Sequence, residues 1–227
     1  MAIQAIRKIK TMQNDRQLQQ DVLAELEWEP RVTAAHIGVT ARDGVVTLTG
    51  HVDNFWSKHE AEKAARRVQG VKAVAEEIKV ELPLGHKRTD EEIAAAVVDR
   101  LGWNVSIPVG AIKVVVENGI VTLSGETDWH YQKDIAETEV RHLNGVVGVM
   151  NRISLRRRVD TQTIGADIKS ALKRSWYTRP DSIDVRADGG QVTLTGVVHS
   201  PYARSVAAAT AWSAPGATSV VNNLAIT

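Results

Sequence analysis

The sequence predicts an α+β fold of three tandem αββαβ units, each a three-stranded sheet with two helices on one face. Three observations predict it. The string Val-Thr-Leu-Thr-Gly at 46–50 returns as Val-Thr-Leu-Ser-Gly at 121–125 and as Val-Thr-Leu-Thr-Gly at 192–196. Ahead of each string lies a stripe of apolar residues four apart: Leu18, Val22, Leu26; Ile93, Val97, Leu101; Ile164, Ile168, Leu172. Between stripe and string sits a turn pair, Asp43-Gly44, Asn118-Gly119 or Gly189-Gly190. Self-similarity at a fixed period marks a repeated supersecondary unit. Anchored on Gly50, Gly125 and Gly196, the copies stay in register from Leu18, Ile93 and Ile164 to Ile78, Ile153 and Leu224.

Each element has its own reason. The four-residue spacing makes one apolar stripe on a first helix. Its start is clearest at Thr89-Asp-Glu-Glu92, where a threonine and a glutamate can cap orphan amides reciprocally. A hairpin follows: Ile37, Val39 and Ala41 alternate with polar or small residues, and Val46 and Leu48 alternate with Thr47 and Thr49. The turn pairs tolerate the positive φ angles that tight hairpins demand. The second helix is expected from about Ser57 to Gln69, ending at Gly70. The third strand is expected at Val74–Val80, with Val149–Leu155 and Val220–Ile226 as counterparts. Thr47, Thr49, Thr122, Ser124, Thr193 and Thr195 predict a polar second face on each sheet. The unit boundaries are 13–82, 86–157 and 158–227, preceded by a tail at 1–12; the third unit is expected to be complete at Thr227.

Composition narrows the function. The 227 residues carry 28 Lys+Arg against 27 Asp+Glu, so no net field gathers nucleic acid or an acidic substrate. The absence of cysteine removes disulfides, thiolate metal sites and cysteine nucleophiles. Arg7, Lys8 and Lys10 follow the first short apolar stretch, whereas a secretory signal places its basic residues first. No run approaches the length of a membrane span. The expected location is the cytoplasm.

The ordered motifs, a helix followed by Ile-x-Val, the Asp-Gly turn, Val-x-Leu-x-Gly, an alanine-bearing helix, Gly-Val-x-x-Val and a terminal Ile-x-Val, resemble the BON domain. The resemblance runs from about residue 13 to 227 in three copies. It implies a binding module associated with osmotic stress and phospholipid surfaces, with no shared catalytic motif. Members with two such modules carry an export signal, from which this chain departs. In another arrangement, beside a peptidoglycan-binding module, the family senses potassium.

The residues themselves contain no sign of catalysis. No histidine recurs between units: His51 aligns with Glu126 and Val197, and His130 with Phe55 and Pro201. No nucleophile–base constellation, metal-ligand spacing or phosphate-cradling loop is present, so no catalytic residue, metal or cofactor is assigned. Two candidate surfaces remain. Lys87, Arg88, Arg156, Arg157 and Arg158, in the linkers, are the candidate contacts to an anionic surface. On the second helix, Lys58, Glu60, Glu62, Lys63, Arg66 and Arg67 of unit one read as a solvated outer face. In register, Glu60, Lys63 and Arg66 become Val206, Ala209 and Trp212 of unit three. Unit two carries Lys133, Asp134, Glu137, Glu139 and Arg141 on this helix, and a face charged in two copies and apolar in the third is a candidate interaction surface toward another unit, a second chain or a ligand. Trp28 and Trp103 are aligned just beyond the first-helix stripe, and Trp176 lies nearby in its own unit. Trp56, Tyr131 and Tyr202 are also aligned and are expected to pack the sheet edge against the second helix.

The reading is a non-enzymatic, cytoplasmic, stress- or envelope-associated scaffold whose partner is an anionic phospholipid surface or a protein. Two other readings stand beside it: a soluble potassium-sensing protein, and a structural protein that assembles as a homo-oligomer.

Overall fold

A computed structural model describes residues 2–156, 163–175 and 182–226, with side chains described from Asn14 onward. Each repeat runs helix, strand, strand, helix, strand. Repeat one comprises α1 (Ala2–Trp28), β1 (Ile37–Arg42), β2 (Val45–Val52), α2 (Phe55–Arg67) and β3 (Ala73–Val80). Repeat two comprises α3 (Asp90–Trp103), β4 (Ile112–Glu117), β5 (Ile120–Thr127), α4 (His130–Arg141) and β6 (Gly148–Leu155). Repeat three comprises α5 (Ile164–Arg174), β7 (Ile183–Asp188), β8 (Gln191–Val198), α6 (Pro201–Trp212) and β9 (Ser219–Ile226). Helix α1 begins at Ala2 and runs through residues 2–12.

The chain divides into two compact units. The first joins Met1–Val97, Val116–Val121 and Val140–Val149; the second joins Val98–Val115, Thr122–Glu139 and Met150–Thr227. Each of the three sheets places its second strand in the middle, in the order β1-β2-β3, β4-β5-β6 and β7-β8-β9. In repeats one and three the hairpin pair is antiparallel and the outer pair parallel, as a helical crossover requires. Val46 and Leu48 are fully buried, as are Val192 and Leu194. Leu18, Val22 and Leu26 join the first pair in one core, and Ile164, Ile168 and Leu172 join the second pair in another. The intervening threonines stay partly or fully exposed.

The turns use the predicted chemistry. Asp43, Asn118 and Gly189 have φ of 53, 51 and 54°, followed by Gly44, Gly119 and Gly190 at 85, 75 and 90°. Those paired positive values suit a two-residue turn that matches strand twist. A carboxylate of the first helix pins the turn in repeats one and two, from the middle of α1 (Asp15) and from the start of α3 (Asp90). Asp43 N–H donates to Asp15 Oδ1 at 2.9 Å, and the amides of Asn118 and Gly119 both donate to Asp90 at 2.8 Å. The capping box forms as predicted: Thr89 N–H donates to Glu92 Oε2 at 2.8 Å and Glu92 N–H donates to Thr89 Oγ1 at 3.2 Å. The Thr89 amide, and then the Thr89 hydroxyl donating to Oε2 at 3.2 Å, hold the Glu92 carboxyl below its ordinary pKa.

A second clasp recurs between the second helix and third strand. Lys58 Nζ donates to Ile78 O and pairs with Glu76, Lys133 Nζ donates to Ile153 O, and Arg204 Nη2 donates to Asn222 O. Glu76, Asn151 and Asn222, aligned in the three copies, each accept from the amide two residues on.

The charged side of α2 is not uniformly solvated, contrary to the sequence reading. Glu60 is 0% exposed and Glu29 4%. Arg31 spans them, with Nε 2.9 Å from Glu29 Oε1 and Nη1 2.9 Å from Glu60 Oε2. Lys63 lies 3.6 Å from Glu60, and Arg67 joins Glu25 and Glu29. Ile135 and Val206, both partly buried, occupy the same register position in the other repeats. Burial alone raises the Glu29 pKa, but hydrogen bonds and charge from Arg67 and Arg31 outweigh it and hold the carboxyl below its ordinary value.

Breaking a buried ion pair from one side strands a charge, whereas replacing the carboxylate by a hydrocarbon does not. Arg31 is half exposed, and Lys63 and Arg67 stay beside the two carboxylates, so Arg31→Met is expected to cost about 1 kcal/mol in urea unfolding. Glu60→Ile, which installs the residue type found in repeat two, is expected to be neutral or stabilising. Equal losses in both variants would contradict this.

Candidate functional site

Lys87 and Arg88 are exposed, and Arg88 Nη1 donates to the carbonyls of Gly85 at 3.0 Å and Lys87 at 2.8 Å. They line a hollow of about 680 Å³ that also holds Glu81 and Asp90. Asp90, Glu91 and Glu92 occupy the first turn of α3, so carboxylates already sit beside these cations. Arg156 keeps a side chain 60% exposed, with Nη1 3.3 Å from Asp128 and Nε 3.9 Å from Glu126. Arg157, Arg158 and Trp176 lie outside the described residues.

The α6 surface is different in kind. Val206 is partly buried, Ala209 is exposed and Trp212 is half-buried. Ser200 caps the helix by accepting from Ala203 N–H at 3.1 Å, and Pro201 follows at the first helical position. Ala203, Ala207 and Ala211 face the core, which leaves the Ala209 side outward. Trp212 packs against His130 with ring centroids 3.8 Å apart and planes tilted by 30°.

Ala209 and Trp212 line one wall of a cleft of about 750 Å³ in the second unit, opposite Trp129, Tyr131 and Asp134. The repeat pattern alone does not group those three residues. Their signal was local: two aromatics flank His130, and Asp134 lies four positions on, one helical turn away. His130 Nδ1 is 2.8 Å from Asp134 Oδ2. Buried Gln132 fixes the entrance of α4, accepting from the amides of Asp128 and Trp129 at 3.1 Å and donating to Ser106 O at 3.0 Å.

The first unit gathers aromatics differently. Trp56 stacks on His142 with centroids 4.0 Å apart, and Arg141 Nη1 lies 3.1 Å from His59 Nε2. Burial, and then the Arg141 charge, push the His59 pKa below its ordinary value against the pull of Glu62 and Glu60. Trp56 is thus a ring-stacking residue, while Tyr131 and Tyr202 are 50% and 58% exposed. Exposed Trp28 and Trp103 likewise stay outside the cores. Among the described residues, no group of three or more His, Asp or Glu side chains is placed to hold a metal ion, and no described helix is long and apolar enough to cross a membrane.

The BON-domain family model matches residues 14–81, 89–157 and 160–227. The chain belongs to the BON-domain family. It is 28% identical over 160 residues to osmotically-inducible protein Y of Escherichia coli (strain K12), covering 67% of this chain and 78% of that protein. It is also 28% identical over 152 residues to a 21 kDa hemolysin of Actinobacillus pleuropneumoniae, covering 65% of this chain and 78% of that protein. Among solved structures, CdsD, a structural protein of the type III secretion system of Chlamydia trachomatis, overlays 92% of this BON chain and 91% of its own at 19% identity. The TM-score of that overlay is 0.26. The BON chain is therefore a three-module relative of an osmotically inducible protein.

Because His59 has a lowered folded-state pKa, the unfolded chain takes up its proton first as pH falls. Stability from this group is complete above the unfolded pKa of about 6.5 and is lost between that value and the lower folded one. Thermal melts from pH 8 to 5 are expected to show part of the acid loss abolished in His59→Gln. An identical pH dependence in the variant would contradict this role.

Proposed function

We propose that this BON-domain chain is a non-enzymatic scaffold, associated with stress or the envelope and resident in the cytoplasm, that docks reversibly on anionic phospholipid surfaces. The observation that carries the reading is the exposure of Lys87, Arg88 and Arg156 at the linkers between modules. The relation to an osmotically inducible protein supports the stress association. Each basic residue near an anionic membrane contributes about 1 kcal/mol, so these three support weak, salt-sensitive binding. Arg157 and Arg158 extend the same basic run in the sequence. Glu126 and Asp128 compete with the membrane for Arg156 and lower its contribution. The α6 face of Val206, Ala209 and Trp212 is then available to a further partner, with Trp212 held in place by His130.

Co-sedimentation with phosphatidylcholine vesicles containing rising fractions of phosphatidylglycerol tests this. Binding is expected to rise with the anionic fraction and to fall with salt. The triple variant Lys87→Glu, Arg88→Glu, Arg156→Glu is expected to bind about tenfold more weakly or worse. Binding that ignores both salt and the triple variant would overturn the reading.

A further inference from the structure

We propose that the aromatic cleft of the second unit is a binding site for a methylated ammonium group. Three electron-rich rings, Trp129, Tyr131 and Trp212, line it. The faces of such rings attract a cation through their quadrupole, most strongly where it sheds little hydration. A methylated ammonium meets that condition because its charge is spread over a greasy surface. Ala208 and Ala209 provide an apolar wall for the methyl groups.

The charge balance selects the sign of the ligand. The described lining residues include the carboxylate of Asp134 and no lysine or arginine. His130 turns Nδ1 toward that carboxylate and its ring toward Trp212, which fixes the acid and one wall together. An anion would meet a carboxylate and electron-rich rings. A sugar would need a partner for each of several hydroxyls, and Asp134, Ser205 and Ser213 are few, with Ser213 Oγ already donating to Ala209 O at 2.9 Å. A metal ion would find no third acidic or histidine ligand among the described residues. The first unit offers a contrast. There the register position of Trp212 is Arg141, placed against His59 beside the Trp56–His142 stack. That aromatic cluster contains its own guanidinium, whereas the second unit has a tryptophan in its place and an open cleft.

The same chemistry is presented by a free solute such as choline and by the headgroup of phosphatidylcholine. The test is calorimetric titration of the full chain with choline, and with dimethylbutanol, the uncharged carbon isostere of choline. Choline is expected to bind at least about tenfold more tightly than the isostere. Asp134→Asn and Tyr131→Ala, both at exposed positions, are each expected to weaken choline binding while circular dichroism and melting stay unchanged. Phosphatidylcholine vesicles, with and without saturating choline, then separate the sources. Competition identifies the lipid headgroup, and binding of choline without vesicle competition identifies a free solute. No heat with choline, equal affinity for the isostere, or folded variants that retain full affinity would each overturn the proposal.

Discussion

One close approach of backbone to backbone recurs in every repeat and sets the rest. At Gly50, Gly125 and Gly196, φ is 114, 125 and 124°. A Cβ at these positions would collide with the carbonyl oxygens of His36, Ala111 and Ser182. Only glycine permits the chain entering the first strand to cross so near the end of the second. In repeats one and three this contact sits at the edge of the hairpin register, where Ile37 faces Gly50 and Ile183 faces Gly196. With the register set, Val46 and Leu48 point inward and Thr47 and Thr49 outward. A slip of one residue would exchange the two sets. The near-identity of the Val-Thr-Leu-Thr-Gly strings follows from that constraint.

The features legible in the sequence were those governed by period and by backbone conformation. The helix stripes, the positive-φ turns, the alternating strands and the Thr89–Glu92 box each depend on residues close in the chain. What escaped were contacts between elements far apart in sequence. Glu60 reads as one charge among many on a polar helix, yet Arg31, from the loop after α1, allows it to be buried. Lys58 also reads as solvated, although it clasps β3. That clasp explains a puzzle in the alignment. Arg204 is retained on an otherwise uncharged α6 because its guanidinium holds the carbonyl of Asn222.

The same division applies to function. The three modules share their cores and clasps, so differences between them accumulate on second-helix surfaces and linkers. Arg66, Arg141 and Trp212 occupy one register position and do three things: the first pairs with Glu62, the second meets His59, and the third packs against His130. The aromatic cleft was invisible to a comparison of aligned positions because it is made from α4 and α6, which occupy the same place in different repeats. The linker cations were visible as a run of charge. Their neighbouring carboxylates, Asp128 above all, were not.

The central functional claim is that the scaffold meets anionic lipid through its linkers and leaves its sheets untouched. Hydrogen–deuterium exchange on the full chain, with and without phosphatidylglycerol vesicles, tests this most directly. The account predicts added protection in peptides covering Glu81–Arg88 and residues 156–158, with β2, β5 and β8 unchanged. Protection confined to the threonine-bearing sheet faces, with the linkers exchanging as in free protein, would contradict it.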